Sequence, residues 1–182
     1  MWRRPSAALG QTRRMRSIEL TFDEESDAAV RAEWARLADA DLPSLASHTA
    51  PSNSPHATLA AGADLAFLKP MDWGALPLEV EFGGILLFPA AKGRFVLARS
   101  LAVTGALLAL HRTLHEAVGG AVDRTLPGRW SPHVTLARRM SPDQVAGALR
   151  VLGDIRSAVC TEARLWDGPT KTLTALSAPS PS

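Results

Sequence analysis

The sequence predicts a mixed fold of helices and strands written as two similar halves, and three observations carry that prediction. The hexapeptide PHATLA at residues 55–60 returns as PHVTLA at residues 132–137. Each copy is preceded by a strand-like segment and a helix, so that strand, helix and motif strand occur twice in the same order. Between the copies, Gly and Lys-Gly breaks separate strand-like runs in the pattern of a meander. Two copies at so long a period exclude a solenoid.

The elements follow in order. Ser17–Phe22 (SIELTF) alternates polar and apolar residues and reads as the first strand. Asp23 and the acidic turn after it start a helix to about Ala40, with Ala29, Val30, Trp34 and Leu37 on its apolar face. Residues 42–54 are rich in Pro, Ser and small side chains and form a loop, which ends where Pro55 admits the first motif strand. A short helical segment is expected from Gly62 to Met71. LEVEF, GILLFPA and GRFVLARS then read as three strands, separated at Gly83-Gly84 and Lys92-Gly93. Val103, Leu107, Leu110, Leu114 and Val118 keep helical spacing up to Gly119-Gly120. The second motif strand follows a loop. Ser141-Pro142 supplies an N-cap and a proline at N1 for a helix to about Ile155, and strands near 158–166 and 171–176 close the chain.

Length and composition fit one domain or two tightly joined lobes: 182 residues, 46% hydrophobic, mean hydropathy near zero. The longest mostly apolar stretch, Gly83 to Ala91, is too short to span a bilayer, and no apolar run near the N-terminus has the length of a secretory signal. The single cysteine, Cys160, allows no intramolecular disulfide and no cysteine metal cluster, so a reducing cytoplasm is expected. Four of the twenty basic residues, Arg3, Arg4, Arg13 and Arg14, precede Met15, leaving sixteen against eighteen acids in the body. The body is therefore no strongly basic nucleic-acid platform. Residues 1–14 read as a disordered basic extension, 15–177 as the folded domain, and 178–182 as a disordered tail.

Within a strand alternate residues share a face, so His56 and Thr58 point together, as do His133 and Thr135. A cleft lined by two imidazoles and two hydroxyls suits in-line attack on phosphorus. One imidazole accepts a proton from the attacking oxygen, the other donates one to the departing oxygen, and hydroxyls hold the non-bridging oxygens. That chemistry calls for no metal and no cofactor.

His-x-Thr followed by a hydrophobic residue, twice, resembles the two-histidine (2H) phosphoesterase superfamily. The likeness is greatest to its bacterial 2'-5' RNA ligase-like group, also described as RNA 2',3'-cyclic phosphodiesterases. It rests on His56-Ala57-Thr58-Leu59 and His133-Val134-Thr135-Leu136 and on the order of elements from about Arg16 to Ser177. The resemblance implies a bilobal α+β fold, each lobe with an antiparallel sheet and flanking helices, and a central cleft holding both motifs. It also implies metal-independent hydrolysis of a 2',3'-cyclic phosphate to a 2'-phosphate, with reversible 2'-5' ligation in some members. Carried over, His56 is the acid and His133 the base, and Thr58 and Thr135 are phosphate ligands.

Other candidates are weaker. Arg129 and Arg139 share the alternation of His133 if its strand stays regular, Arg138 is adjacent, and all three are candidate phosphate contacts against the alternative of a solvated strand end. Trp130 is a candidate base-stacking residue or a core packer. Phe22 and Phe88 read as core first and base contacts second. His111 and His115, spaced i, i+4 without a third ligand, read as helix surface, His48 as a plain loop residue, and Cys160 as a buried thiol. Three lysines and no tyrosine argue against a long polynucleotide. The expected partner is an RNA 3' end with a cyclic phosphate, a short 2'-5' oligonucleotide or a small cyclic nucleotide, bound by a monomer with no membrane contact. A non-catalytic nucleotide-binding or RNA-end-binding module on the same fold is the rival class.

Overall fold

The computed structural model describes residues 15–48, 50 and 52–177. The extension expected over 1–14 and the tail expected over 178–182 lie outside the described residues. The elements run β1 (Arg16–Phe22), α1 (Glu24–Asp39), β2 (His56–Gly62), β3 (Ala66–Phe67), β4 (Leu78–Pro89), β5 (Phe95–Leu101), α2 (Gly105–Ala117), β6 (Val118–Gly119), β7 (His133–Met140), α3 (Pro142–Val151), β8 (Ser157–Asp167) and β9 (Thr172–Ala175). Seven strands form one antiparallel sheet in the order β1-β2-β7-β5-β4-β8-β9, and β3 pairs with β6 apart from it. Because β1 also pairs with β8, six of the strands close into a circuit. The fold is α+β.

The duplication is explicit in the pairing. β1-α1-β2 and β5-α2-β7 repeat one unit, in which the first strand lies antiparallel to the motif strand: Thr21 faces His56, and Ser100 faces His133. The halves join where the motif strands touch at Ala57 and Val134. Apolar alternation decides which face is buried: Ile18, Leu20, Ala57, Leu59, Val134 and Leu136 are all within 1% of full burial, while their polar neighbours lie on the other side of the sheet. Helix α1 packs against β7, and α2 against β2, so each half places its helix beneath the other half's motif strand.

Helix starts follow the local chemistry. Asp23 accepts from Ser26 N at 2.9 Å, Thr104 from Leu107 N at 3.2 Å, and Ser141 and Gln144 exchange side-chain and backbone bonds in a capping box. Each cap is worth about 1 kcal/mol. One polar group on α1 goes inward: Glu33, fully buried, accepts from Arg99 Nη2 at 2.7 Å and from Gly153 N at 2.7 Å, tying α1 to β5 and to the end of α3.

The structure departs most from the sequence expectations in two segments; in addition α2 starts at Gly105, leaving Val103 exposed ahead of it, and the helix expected to about Ile155 ends at Val151. Gly83-Gly84 does not separate strands: β4 runs through them with a bulge, and the register slips between Phe82 and Ile85. A Cβ on Gly83 would lie 2.5 Å from Ser100 Oγ, so glycine is needed there for close approach rather than for a turn. The helix expected after Gly62 is absent. Ala66–Phe67 instead pairs with Val118–Gly119, and Leu68 N donates to Ala117 O at 2.8 Å. Long-range pairing with the end of α2 takes the backbone donors that a short helix would have used. Among the described residues no helix is long and apolar enough to cross a membrane.

Candidate active site

The motif strands bring His56, Thr58, His133 and Thr135 to adjoining positions on one face. An antiparallel pairing through Ala57 and Val134 runs His56 alongside Thr135 and Thr58 alongside His133. All four side chains are half-buried, and their strand neighbours Ala57, Leu59, Val134 and Leu136 anchor the opposite face in the core.

The repeat reaches one residue further than the hexapeptide. Ser54-Pro55-His56 and Ser131-Pro132-His133 are the same tripeptide, and in each the imidazole Nδ1 bonds the serine carbonyl two residues back, at 2.8 Å and 2.7 Å. A carbonyl only accepts, so Nδ1 carries the hydrogen in both rings and Nε2 is left for chemistry. Proline fixes φ between the serine and the histidine and holds the preceding residue extended, which presets this back-bond in both copies. The threonine backbones are matched too. Trp130 Nε1 donates to Thr58 O at 2.9 Å, and Trp34 Nε1 donates to Thr135 O at 3.1 Å. Both imidazoles and both threonine backbones are thus held by hydrogen bonds of the same kind in the two motifs.

The environments of the two histidines differ. Phe88 packs on His133 with ring centroids 4.6 Å apart. The His133 pKa is held below the ordinary imidazole value, first by burial, with the Ser131 carbonyl opposing and the nearby charges of His56 and Arg138 adding to the depression. His56 has a charged neighbour instead: Glu19 Oε1 lies 3.7 Å from its Nε2. Glu19, 4% exposed, accepts from Ser17 Oγ at 2.6 Å and from Arg164 Nε and Nη2, both at 2.9 Å. Arg164 Nη1 donates to Ser54 Oγ at 2.6 Å, closing a ring of contacts through the first motif. Sequence reasoning missed Glu19 and Arg164. The signal available was alternation alone, which puts Glu19 of SIELTF on the face of Ser17 and Thr21.

The weaker candidates take other places. Arg129 pairs with Asp123 at 2.8 Å in the exposed loop before β7. The strand does not stay regular: Arg138 and Arg139 form a bulge between Ala137 and Met140, Arg139 has φ of 62°, and both are exposed. Arg138 is the member of this pair whose charge reaches His133. Trp130 stacks on His111 at 3.9 Å with rings 4° from parallel. Phe22 lies in the core against Phe82, His48 is an exposed loop residue, and Cys160 is buried with its thiol pushed up to about 12 by burial.

His111 and His115 are not helix surface. His111 is fully buried and donates from Nε2 to Thr125 O at 2.9 Å, and His115 Nε2 donates to Leu59 O at 3.2 Å. Leu59 is the extra residue of a bulge against β1, so its carbonyl falls to a side-chain donor from α2. A hollow of about 390 Å³ lined by Arg112, His115, Glu116 and Leu126 opens beside this cluster and contains no motif residue. Among the described residues no group of three or more His, Cys, Asp or Glu is placed to hold a metal ion.

Known proteins give a consistent picture. The family model described as 2'-5' RNA ligase superfamily matches residues 65–168, a span that contains the second motif and begins just after the first. Usb1 of Kluyveromyces marxianus aligns over 91% of this chain and 99% of its own, at 13% identity and a TM-score of 0.54. Usb1 of the same organism with uridine monophosphate aligns over 92% and 99%, at 12% identity and a TM-score of 0.47. No curated protein matches by sequence. With the fold shared along nearly the whole chain and the family model covering more than half of it, this protein belongs to the 2'-5' RNA ligase superfamily.

Proposed function

We propose that the protein hydrolyses 2',3'-cyclic phosphates, carried by an RNA end or a small nucleotide, to 2'-phosphates by paired imidazole acid–base catalysis. The observation that carries this reading is the matched pair of Nδ1 back-bonds, which occupies Nδ1 in both rings and supports a proton-transfer role for both Nε2 atoms on one face, each on a strand that carries a motif threonine alongside.

In the forward reaction His133 Nε2 takes a proton from water as the water oxygen bonds to phosphorus. The bond from phosphorus to the 3'-oxygen breaks, and that oxygen receives the Nε2 proton of His56. Thr58 and Thr135 hydroxyls hold the non-bridging oxygens as charge develops on them. One water is consumed, and the two rings exchange protonation states, which solvent then restores. The division suits the surroundings: His133, its pKa depressed, is neutral at pH 7 and ready to accept, while His56 has a carboxylate beside it to balance the charge of a ring that holds a proton. With a 5'-hydroxyl in place of water, the same step breaks the bond from phosphorus to the 3'-oxygen and leaves a 2'-5' phosphodiester; its reverse, attack of the 3'-hydroxyl on that linkage, restores the cyclic end and frees the 5'-hydroxyl, with the two rings exchanging roles.

The test is hydrolysis, in chelator, of a 2',3'-cyclic mononucleotide beside a short RNA with a cyclic-phosphate end, with the product phosphate located. A 2'-phosphate product from either supports the reading, and the ratio of rates shows whether RNA length matters. A folded protein that binds both and turns over neither would point to the binding module instead.

A further inference from the structure

The two motifs are equivalent in sequence and in their hydrogen bonds, yet the rows of side chains that cross the sheet through their threonines are not. Cross-strand partners share a face. In the first half the row runs Arg164, Glu19, Thr58; in the second, the corresponding row runs Leu86, Ala98, Thr135. A duplicated architecture has a charge pair on one side and two aliphatic residues on the other.

That charge pair is built rather than incidental. The Glu19 carboxylate is nearly inaccessible, its Oε2 receives two guanidinium N–H groups and its Oε1 receives the Ser17 hydroxyl, so its orientation is fixed before substrate arrives. Arg164 is held from its other side by Ser54, the residue whose carbonyl orients the His56 ring. A carboxylate beside a proton-donating imidazole balances its charge, and a guanidinium behind the carboxylate keeps the site from repelling an anionic phosphodiester. Among the described residues no carboxylate pairs with His133, which packs on Phe88 instead.

Resting on the reading above, we propose that Glu19 and Arg164 are positioning residues that make the first motif the proton-donating half of the site, so that the leaving oxygen is placed at His56 and the attacking water at His133. The reaction then has a fixed direction across the cleft despite the near-identity of the two motifs.

A pair of substrates separates this role from plain structural support. One is a 2',3'-cyclic nucleotide; the other carries sulfur in place of the bridging 3'-oxygen, whose thiolate departs without a proton. Glu19→Gln keeps the size and removes the charge; the amide oxygen still accepts from Arg164, and the Ser17 hydroxyl, which can accept as well as donate, turns to take the amide N–H. It is expected to slow the oxygen substrate by about tenfold or more, a part of the ~10²- to 10⁴-fold that a general acid supplies, and to leave the sulfur substrate within about threefold of wild type. The double variant Glu19→Gln/Arg164→Met, which removes the charge pair together, covers the case in which the single change fails to fold, and is expected to show the same selectivity. Equal losses on both substrates, or no loss on the oxygen substrate, would overturn the proposal. His56→Ala measured in parallel keeps the two ideas apart: if it too shows no preference for sulfur, the acid role of His56 fails, whereas a sulfur preference in His56→Ala that is missing in the Glu19 variants sinks only the role given to Glu19 and Arg164.

Discussion

His133 is depressed chiefly by burial, and Phe88 is the ring that covers it. An imidazole whose pKa lies below the ordinary 6.5 stays neutral to lower pH, so the acid limb of kcat/KM, where the base becomes protonated, is expected below pH 6.5. Phe88→Ala admits water beside the ring and should move that limb upward toward 6.5; a limb that stays in place would contradict the burial argument. His111 titrates in the same sense but bears on stability. Burial, then the neighbouring His115, holds it down to about 4, and among the described residues its Nδ1 has no hydrogen-bond partner. Between pH 6.5 and 4 the unfolded chain therefore binds a proton that the folded chain refuses. Stability from this group is complete above about pH 6.5, declines as pH falls through that window, and levels off below 4, by about 3 kcal/mol in all. Urea denaturation at pH 7.5, 5.5 and 4 measures the decline, and His111→Phe should flatten it. The histidines and threonines of the motifs were legible in the sequence because the chain repeats them. Glu19 and Arg164 were not, because their contact spans 145 residues and neither sits in a repeated string.

The helices and the motif strands carry local signals that survive folding: capping residues, apolar spacing at 3.6 and alternation at 2. These account for the close agreement of the expected helices and outer strands with α1, α2, α3, β8 and β9. Elements were misjudged where a distant strand decided the outcome, at residues 62–71 and at Gly83-Gly84, since glycine marks a turn and a close backbone approach with the same letter. Trp130 shows the same limit, for its neighbours His111 and Thr58 lie on α2 and β2. Each indole N–H serves a carbonyl of a motif threonine, so Trp130→Phe and Trp34→Phe, which keep an aromatic ring, should each cost about 1–3 kcal/mol in chemical denaturation by leaving that carbonyl unpaired. Trp130→Phe as stable as wild type would show that Thr58 O finds water instead.

At the scale of the molecule, two halves are locked by contacts that cross between them. Each helix lies under the opposite motif strand, and Glu33 on α1 is paired with Arg99 on β5 and with the backbone after α3. Arg99→Met would leave the Glu33 charge buried with, among the described residues, the more exposed Arg36 as its remaining cation, and should destabilise by about 3–5 kcal/mol; a cost under about 1 kcal/mol would mean that the pair is not what holds α1 in register. The same locking fixes the distance between the motifs, and so the whole account turns on whether both imidazoles act on one phosphate. Single-turnover hydrolysis of a 2',3'-cyclic nucleotide by His56→Ala and by His133→Ala, each shown folded by near-ultraviolet circular dichroism, tests this most directly. The account predicts that each variant loses at least about 10²-fold in rate. Either variant within a few-fold of wild type would contradict it.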